Sequence, residues 1–290
     1  MNPETLPIDP HFNLNEFVRR VLAEDMGSGG DVTSRATVPA DARFSATMSC
    51  REPISVAGLE IAALFFRELD GEVGIDLLVK DGDRVTAGTV LMKLEGLARP
   101  MLTAERSALN TLQHLSGIAT LTSRYVEAIA GTGAILLDTR KTIPGLRLLN
   151  KYAARMGGAQ NHRMRLDDGV LIKDNHVAVC GSVEAAVTRA KAANVGLQIQ
   201  VEVDRIEQIE PALAAGAERL LLDNMSPATL RVAVQTVAGR VPLEASGGVD
   251  LQTIRAIAET GIDYISVGRI TQSAPAVDIG LDFSMQRSAA

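Results

Sequence analysis

Polar residues and glycines follow six short apolar runs in the second half of the chain. The runs end at Leu137, Ile172, Val201, Leu222, Ala245 and Val267, and the residues after them are 138–141, 173–176, Glu202, 223–224, 246–248 and 268–269. In a parallel α/β barrel the carboxyl ends of the strands meet at one face, where barrel enzymes place their active sites. A single charge after a strand usually belongs to a solvated loop, but six such ends at one face predict a site.

Glu202 is the strongest single candidate among these residues. It is followed by Val203 and lies inside an apolar run, where a carboxylate is costly unless a cation or a metal ion pairs with it. Asp223 follows the next predicted strand. Together the two carboxylates could hold Mg²⁺ or the hydroxyls of a ribose.

The last two strand ends have the features of a phosphate site. Ser246, Gly247 and Gly248 form one turn, Gly268 forms the other, and each precedes a predicted helix. Glycines let backbone N–H groups approach an anion, and a helix N-terminus adds partial positive charge. Because late barrel loops are the usual position for a phosphate, the two turns indicate a phosphorylated ligand.

Segment 138–176 is locally basic, with eight Lys or Arg against four Asp in a chain whose net charge is -6. Arg140, His162 and Arg163 could pair with carboxylates, since a guanidinium matches carboxylate geometry bidentately. His162 could also be a neutral loop histidine, and both interpretations stay open. Point charges that could bind a pyrophosphate are Lys141 and Lys173.

This set of residues fits phosphoribosyl transfer. As pyrophosphate leaves the anomeric carbon, an oxocarbenium-like cation develops that carboxylates would stabilise, while Mg²⁺ and lysines would stabilise the leaving group. The sequence contains no Ser/His/Asp nucleophile set, no Walker loop and no zinc-ligand spacing.

The composition excludes several other classes of function. The 290 residues, 46% of them hydrophobic, can bury a large core, and the acidic balance argues against a nucleic-acid partner. No apolar run is long enough for a membrane span, and residues 1–11 lack the apolar region of a signal peptide. Cys50 and Cys180 are far apart, as expected of thiols in a reducing cytosol, so we expect a cytoplasmic location.

Two kinds of element must position the candidate residues. Up to about residue 112 the chain mixes a helical run at 13–24 with short strands, which predicts an α+β sandwich. After a helical segment at 103–130, strand-like and helix-like runs alternate, which predicts a parallel sheet. A TIM-like barrel and an open sheet are both compatible with this pattern. We favour a barrel that is incomplete, because fewer than eight units are clear.

The stretch 79–95 resembles the turn pattern of a biotinyl or lipoyl domain, in which Lys93 would be the modified residue. A carrier lysine lies at an exposed hairpin tip, whereas Lys93 is inside the strand-like run 90–94. We therefore favour a hairpin-rich β fold without a carrier role.

Long motifs resemble those of a known family. The segment DTRKTIPGLR at 138–147, with 151–152, 157–158, 161–163 and LIKDNH at 171–176, resembles the core signature of the quinolinate phosphoribosyltransferases. Further matches lie in order at 24–25, 30–33, 103–106, 115–120, 202–203, 222–224, 246–248 and 265–268. The resemblance covers about residues 13–283.

The resemblance implies an N-terminal α/β sandwich at 1–112, an open seven-stranded barrel at 113–274, and a tail at 275–290 that packs back on the first domain. It implies an enzyme of NAD biosynthesis that transfers phosphoribosyl from phosphoribosyl pyrophosphate to quinolinate and yields nicotinate mononucleotide, pyrophosphate and CO₂. The cofactor would be Mg²⁺. The resemblance also implies a homodimer with shared active sites, and leaves higher assembly open.

The family's site residues carry over by position. Quinolinate would contact Thr139, Arg140, His162, Arg163 and Lys173, with Arg106 from the partner chain. Phosphoribosyl pyrophosphate would contact Lys141, Glu202, Asp223, Ser246, Gly247, Gly248 and Gly268. The catalytic set would be Glu202, Asp223, Lys141 and Lys173, with Mg²⁺ held by Glu202 and Asp223 directly or through water.

Two other interpretations remain at this point. A paralogous phosphoribosyltransferase-like protein associated with molybdate transport loci shares much of the motif, and a catalytically silent structural or carrier protein is a further alternative. Arg106, Arg140, His162 and Arg163 together favour a dicarboxylate substrate. Four positions differ from the family's usual pattern: Ala159, Arg165, Arg269 and Gln272.

Overall fold

The computed structural model describes residues 12–285, so the predictions made for residues 1–11 and 286–290 lie outside the described residues. The backbone divides into two compact units. The first takes the residues up to Leu121, Leu148–Gly157 and the residues from Ala274, and the second takes Thr122–Arg147 and Gly158–Ser273. The domain boundaries given above, 1–112 and 113–274, rest on the sequence pattern and stay a prediction.

The first unit is built on a small antiparallel sheet. Its elements are α1 (Leu14–Met26), α2 (Val32–Thr37), β1 (Arg43–Cys50), β2 (Ile54–Ser55), α3 (Leu59–Leu69), β3 (Gly74–Leu77), β4 (Arg84–Val85) and β5 (Val90–Leu97). Most of α4 (Ala98–Ala128) and α5 (Arg147–Met156) belongs to it as well, and so does the last strand, which is numbered β12 (Ile279–Met285). The sheet order is β12-β1-β5-β3, and β2 pairs with β4. Lys93 lies inside β5 opposite Thr47 and Asp76, not at a hairpin tip.

The last strand of the chain completes this sheet. β12 runs antiparallel to β1, with Met48 opposite Leu281. Before it, the tail crosses α4, where the Gln113 side chain donates to the Ile279 carbonyl at 2.8 Å. A Cβ on Gly117 of α4 would lie 2.2 Å from the Pro275 carbonyl oxygen, so only glycine leaves room for the tail at this crossing.

Asp81 holds the start of α3. Its carboxylate accepts from the backbone N–H of Gly58 at 2.7 Å and of Leu59 at 3.0 Å. The Tyr152 hydroxyl donates to the same carboxylate at 2.5 Å, and burial raises the pKa of that phenol. Asp81 lies in the stretch 79–95 that resembles a biotinyl or lipoyl domain. In this protein the stretch supplies a hydrogen-bond acceptor for the free backbone N–H groups at the start of α3.

The second unit is a parallel sheet with helices. Its elements are β6 (Ile135–Leu137), β7 (Val170–Ile172), α6 (Asp174–Cys180), α7 (Val183–Ala193), β8 (Ile199–Val203), α8 (Ile209–Ala215), β9 (Arg219–Asp223), α9 (Pro227–Val237), β10 (Leu243–Ser246), α10 (Ile254–Ala258), β11 (Tyr264–Ser266) and α11 (Arg269–Gln272). The strand order is β6-β11-β10-β9-β8-β7, and all pairs are parallel. The predicted fold class, an N-terminal α+β sandwich followed by an incomplete TIM-like barrel, is confirmed as a small sheet unit followed by a parallel sheet with helices.

The resemblance implied seven strands, but within residues 12–285 this sheet has six. The seventh is reduced to one parallel bridge between Leu137 and Gln160. The parallel pairing ends after this bridge, because the backbone N–H of His162 donates to the Asp138 side chain and not to a neighbouring strand.

Replacing Asp81 by Ala should destabilise the protein. The change removes three accepted hydrogen bonds, one from a buried phenol, and should lower the free energy of unfolding by about 2–4 kcal/mol in urea titrations. Asp83→Ala is the matched control, because Asp83 accepts from the Lys80 N–H within the same turn. Equal losses in the two variants would contradict the role given to Asp81.

Candidate active site

A cavity of about 630 Å³ opens at the carboxyl ends of the parallel strands, within the second unit. It brings together most of the residues predicted from the sequence: Thr139, Arg140, Lys141, His162, Arg163, Lys173, Glu202, Asp223, Ser246, Gly247 and Gly248. Asp174, Asn224, Glu244 and Ser266 also line it and were not predicted as site residues. Cations from the segment after β6 and carboxylates from β8 and β9 therefore share one space.

The two predicted acids are half-buried on neighbouring strands. Glu202 lies on β8, with its carboxylate 3.9 Å from the Lys173 ammonium, and Asp223 ends β9 and accepts from the Asn224 side-chain amide at 2.6 Å. Burial raises the pKa of both carboxyls, and the Asp223 charge raises the pKa of Glu202 further. Because the surroundings disfavour these negative charges, a bound cation would stabilise them.

The Ser246–Gly248 turn depends on glycine. Gly247 has a φ of +93°, and a Cβ there would lie 2.1 Å from the Asn224 side-chain oxygen. The N–H of Asn224 donates to the Ser246 carbonyl at 2.8 Å, which ties this turn to the end of β9. The turn is thus held against its neighbour and lines the cavity.

Gly268 packs against Lys141. It is not among the residues that line the cavity, and a Cβ there would lie 2.7 Å from Cδ of Lys141. The Thr271 hydroxyl donates to the Lys141 carbonyl at 2.8 Å. In this structure Gly268 and Thr271 position Lys141, and a direct phosphate contact by Gly268 stays a prediction.

The cationic side of the cavity is held by Asp138, which is fully buried at the end of β6. Its carboxylate accepts from the His162 N–H at 2.9 Å and from the Asn161 side-chain amide at 2.5 Å. The Arg163 guanidinium donates to the Gly169 carbonyl at 2.9 Å. These bonds fix His162 and Arg163 at the cavity wall.

Two of the cations are poorly compensated within the described residues. Burial, and then the neighbouring Arg140, lowers the pKa of Arg163. The Nε of Arg140 is buried and has no hydrogen-bond partner in residues 12–285. Two such guanidinium groups form a site that a carboxylate ligand would complete.

Arg106 is not among the cavity residues. It lies exposed on α4, in the first unit. The four positions that differ from the family pattern, Ala159, Arg165, Arg269 and Gln272, do not line the cavity in the described chain either.

Glu244 is the residue that the sequence interpretation missed. It lies inside the apolar run of β10 and is fully buried, the same signal that singled out Glu202. The period of two along a strand places it on the face of Ser246. The sequence offered a signal for Glu244, since side chains two residues apart on a strand share a face and Glu244 lies two residues before the strand-end residue Ser246.

Comparisons with known proteins match nearly the whole chain to one family. Residues 31–116 match the model of the quinolinate phosphoribosyl transferase N-terminal domain, and residues 118–282 match that of the C-terminal domain. The chain is 47% identical over 272 residues to a nicotinate-nucleotide pyrophosphorylase [carboxylating] of Mycobacterium leprae, covering 92% of this chain and 96% of the relative. It is 40% identical to a probable enzyme of the same name from Bacillus subtilis, covering 95% of each chain.

Solved structures are similar over nearly the whole chain. The nicotinate-nucleotide pyrophosphorylase of Francisella tularensis superposes with a TM-score of 0.89 at 41% identity, covering 93% of this chain and 96% of that one. The protein of the same name from Ehrlichia chaffeensis gives 0.91 at 39% identity, covering 94% and 100%.

Neutral replacements of the two cavity acids should not destabilise the ligand-free protein at neutral pH. A carboxyl whose pKa is raised by folding lowers stability above that raised pKa, and it has no effect below the pKa of the unfolded chain. Glu202→Gln and Asp223→Asn should therefore keep or raise the melting temperature at pH 7, and any gain should vanish at strongly acidic pH. Asp204→Asn, an exposed carboxylate directly after β8, is the control. A lower melting temperature for both variants at pH 7 would contradict this account of the acids.

Proposed function

The chain belongs to the quinolinate phosphoribosyltransferase family, and we propose how its cavity divides the two substrates of that reaction. The enzyme is a pentosyltransferase of NAD biosynthesis, which joins quinolinate to the phosphoribosyl group of phosphoribosyl pyrophosphate and releases CO₂. Quinolinate lies on the cationic side of the cavity, and the phosphoribosyl donor lies between the acids and the Ser246–Gly248 turn.

The cations on the wall after β6 bind the two carboxylates of quinolinate. The single observation that carries this assignment is the pair of half-buried guanidiniums at Arg140 and Arg163, one with an unbonded Nε and the other with a lowered pKa. A guanidinium can bind a carboxylate through two parallel hydrogen bonds, and two adjacent carboxylates need two such groups. Thr139 and Lys173 line the same wall.

The opposite side of the cavity binds phosphoribosyl pyrophosphate. Glu202 and Asp223 lie where they can stabilise positive charge that develops at the anomeric carbon, and Lys141 and Lys173 can bind the departing pyrophosphate. The backbone of Ser246, Gly247 and Gly248 can approach the 5-phosphate because Gly247 and Gly248 have positive φ.

Glu202 and Asp223 would also hold Mg²⁺, directly or through water. No cluster of three or more metal-binding side chains occurs in residues 12–285, so the chain does not enclose the ion by itself. Two carboxylates beside a phosphate site still fit, because Mg²⁺ typically takes one or two carboxylates and completes its shell with substrate phosphates and water. Bound there, Mg²⁺ would neutralise charge on the pyrophosphate.

The assembly and the location are further parts of the proposal. We propose a homodimer in which Arg106, exposed on α4, reaches the partner's cavity, as the family resemblance implies. Assembly beyond the dimer is left open. No described helix is long and apolar enough to cross a membrane. The cytoplasmic location rests on the sequence pattern alone and is testable by cell fractionation.

Quinolinate should be strongly preferred over nicotinate. Nicotinate lacks one carboxylate and would leave a buried guanidinium unpaired, which should lower kcat/KM by up to ~10⁴-fold. The assay measures nicotinate mononucleotide formed from each acid with phosphoribosyl pyrophosphate and Mg²⁺. Arg140→Met should lose most of the preference, whereas Arg269→Met, an exposed arginine outside the cavity, should keep it. Comparable kcat/KM for the two acids in the wild-type enzyme would refute the assignment.

Mixing two inactive variants should restore activity if Arg106 acts in the partner's cavity. Arg106→Ala and Glu202→Ala should each be nearly inactive. After subunit exchange at equal amounts, about half the dimers are mixed and each has one intact site, so activity should rise to roughly one quarter of wild type. Differently tagged chains prove the exchange. If exchange is shown and no activity returns, Arg106 serves its own chain, while the enzyme assignment stands.

A further inference from the structure

At the base of the cavity lies a second set of polar side chains, which we call the floor layer: Glu244, which also lines the cavity, with Gln200, Arg219 and Tyr264. They come from four neighbouring strands, β8, β9, β10 and β11. The period of two along a strand places each on the same face as a cavity residue nearer the strand's end, as Gln200 lies below Glu202. The interior of a barrel of this type is usually filled by Val, Ile and Leu. A polar floor under a substrate cavity therefore requires an explanation.

Glu244 is the centre of the floor layer. One oxygen of its fully buried carboxylate accepts from the Gln200 side-chain amide at 2.8 Å and from the Arg219 guanidinium at 2.7 Å. That guanidinium also stacks on the Tyr264 ring, 4.0 Å from its centroid. Burial opposes the charge of Glu244, but His162, Arg219 and Gln200 outweigh burial and lower its pKa. Glu244 is therefore ionised at neutral pH.

His162 connects the floor layer to the cavity wall. Its Nδ1 accepts from the backbone N–H of Arg163 at 2.7 Å. A ring nitrogen that accepts a hydrogen bond carries no proton, so the proton of the neutral ring is on Nε2. Nε2 lies 3.3 Å from the Glu244 carboxylate, close enough for an electrostatic contact but without the alignment of a hydrogen bond. Both ring nitrogens therefore face groups of the protein.

This arrangement adds a supporting role to the substrate contact expected of His162. The resemblance implied that His162 contacts quinolinate, and that contact stays a prediction, because the buried Nε2 makes no hydrogen bond within residues 12–285. The hydrogen bond from the Arg163 N–H also makes the ring a support for Arg163, whose guanidinium lines the cavity. A flip or a second proton on Nδ1 would break that support.

We propose that Glu244 is a positioning residue for quinolinate. It holds the His162 ring as the Nε2–H tautomer, and the ring in turn fixes the backbone of Arg163, so that the Arg163 guanidinium is set for a substrate carboxylate. The proposal rests on the proposed function for the substrate, but the tautomer of His162 can be tested without it. The competing account is that Glu244 only balances the buried charge of Arg219.

The first test is spectroscopic and uses the wild-type chain. Histidines labelled with ¹⁵N in the ring should show His162 with its proton on Nε2 and none on Nδ1, with assignment by the loss of one set of signals in His162→Gln. His176 is an internal comparison, because its Nδ1 also accepts a backbone N–H, from Lys173 at 2.9 Å, while its ring is exposed. An Nδ1–H tautomer or a doubly protonated ring at His162 would overturn the proposal, whatever the enzyme's substrate.

The second test separates positioning from simple charge balance. Glu244→Gln should raise KM for quinolinate roughly ten- to hundredfold, the effect of one lost bond to a charged group. KM for phosphoribosyl pyrophosphate and kcat should change by less than about threefold. The His162 signals should show mixed tautomers in this variant, while those of His176 stay unchanged. Glu259→Gln, an exposed carboxylate paired with Arg255 on α10, is the control.

A double variant tests whether Glu244 acts through His162. If it does, Glu244→Gln combined with His162→Gln should bind quinolinate no worse than His162→Gln alone, because interacting residues are not additive. Additive losses, or equal rises in KM for both substrates, would favour the charge-balance account and overturn the proposal. A wild-type enzyme that makes no nicotinate mononucleotide would refute the proposed function, whereas the tautomer result would still decide the state of His162.

Discussion

The cationic half of the cavity depends on one buried carboxylate, that of Asp138. Without an acceptor at the end of β6, the segment that carries His162 and Arg163 would continue as a strand or move away from the sheet. Asp138 accepts from the backbone of His162 and from the side chain of Asn161, and so converts a possible seventh strand into a fixed turn. Placing Arg163 close to Arg140 is unfavourable by itself, and these hydrogen bonds offset the repulsion.

The cavity keeps charges of both signs in surroundings that penalise them. Burial raises the pKa of Glu202 and Asp223 and lowers the pKa of Arg163. A ligand of opposite charge therefore stabilises the ionised form of each of these side chains. In this way the free energy of binding can act on the groups that react. The floor layer differs, since Glu244 and Arg219 already neutralise each other. The side chains whose charge is poorly compensated therefore line the substrate cavity, whereas the paired charges of Glu244 and Arg219 lie at its base.

Several features of the fold could be predicted because they follow from local patterns. Apolar runs that alternate with helical runs predict a parallel sheet, and polar residues at strand ends predict a common face. The long motif at 138–176 carried the family resemblance, and the matches to both family domains confirmed it. The seventh strand could not be recognised as a single bridge, because its end is set by a bond between Asp138 and His162, 24 residues apart in sequence.

By itself, the amino-acid sequence determined the fold class, the family, the reaction and which residues gather at the strand ends. These follow from periodicity and motif, which are properties of neighbouring residues. Only the tertiary structure decided that Glu244 lies under His162, that Gly268 packs against Lys141, and that both nitrogens of His162 face the protein. Such facts depend on distances between strands and loops that are remote in the chain, and a side chain's hydrogen-bond partners exist only once the sheet has brought them together.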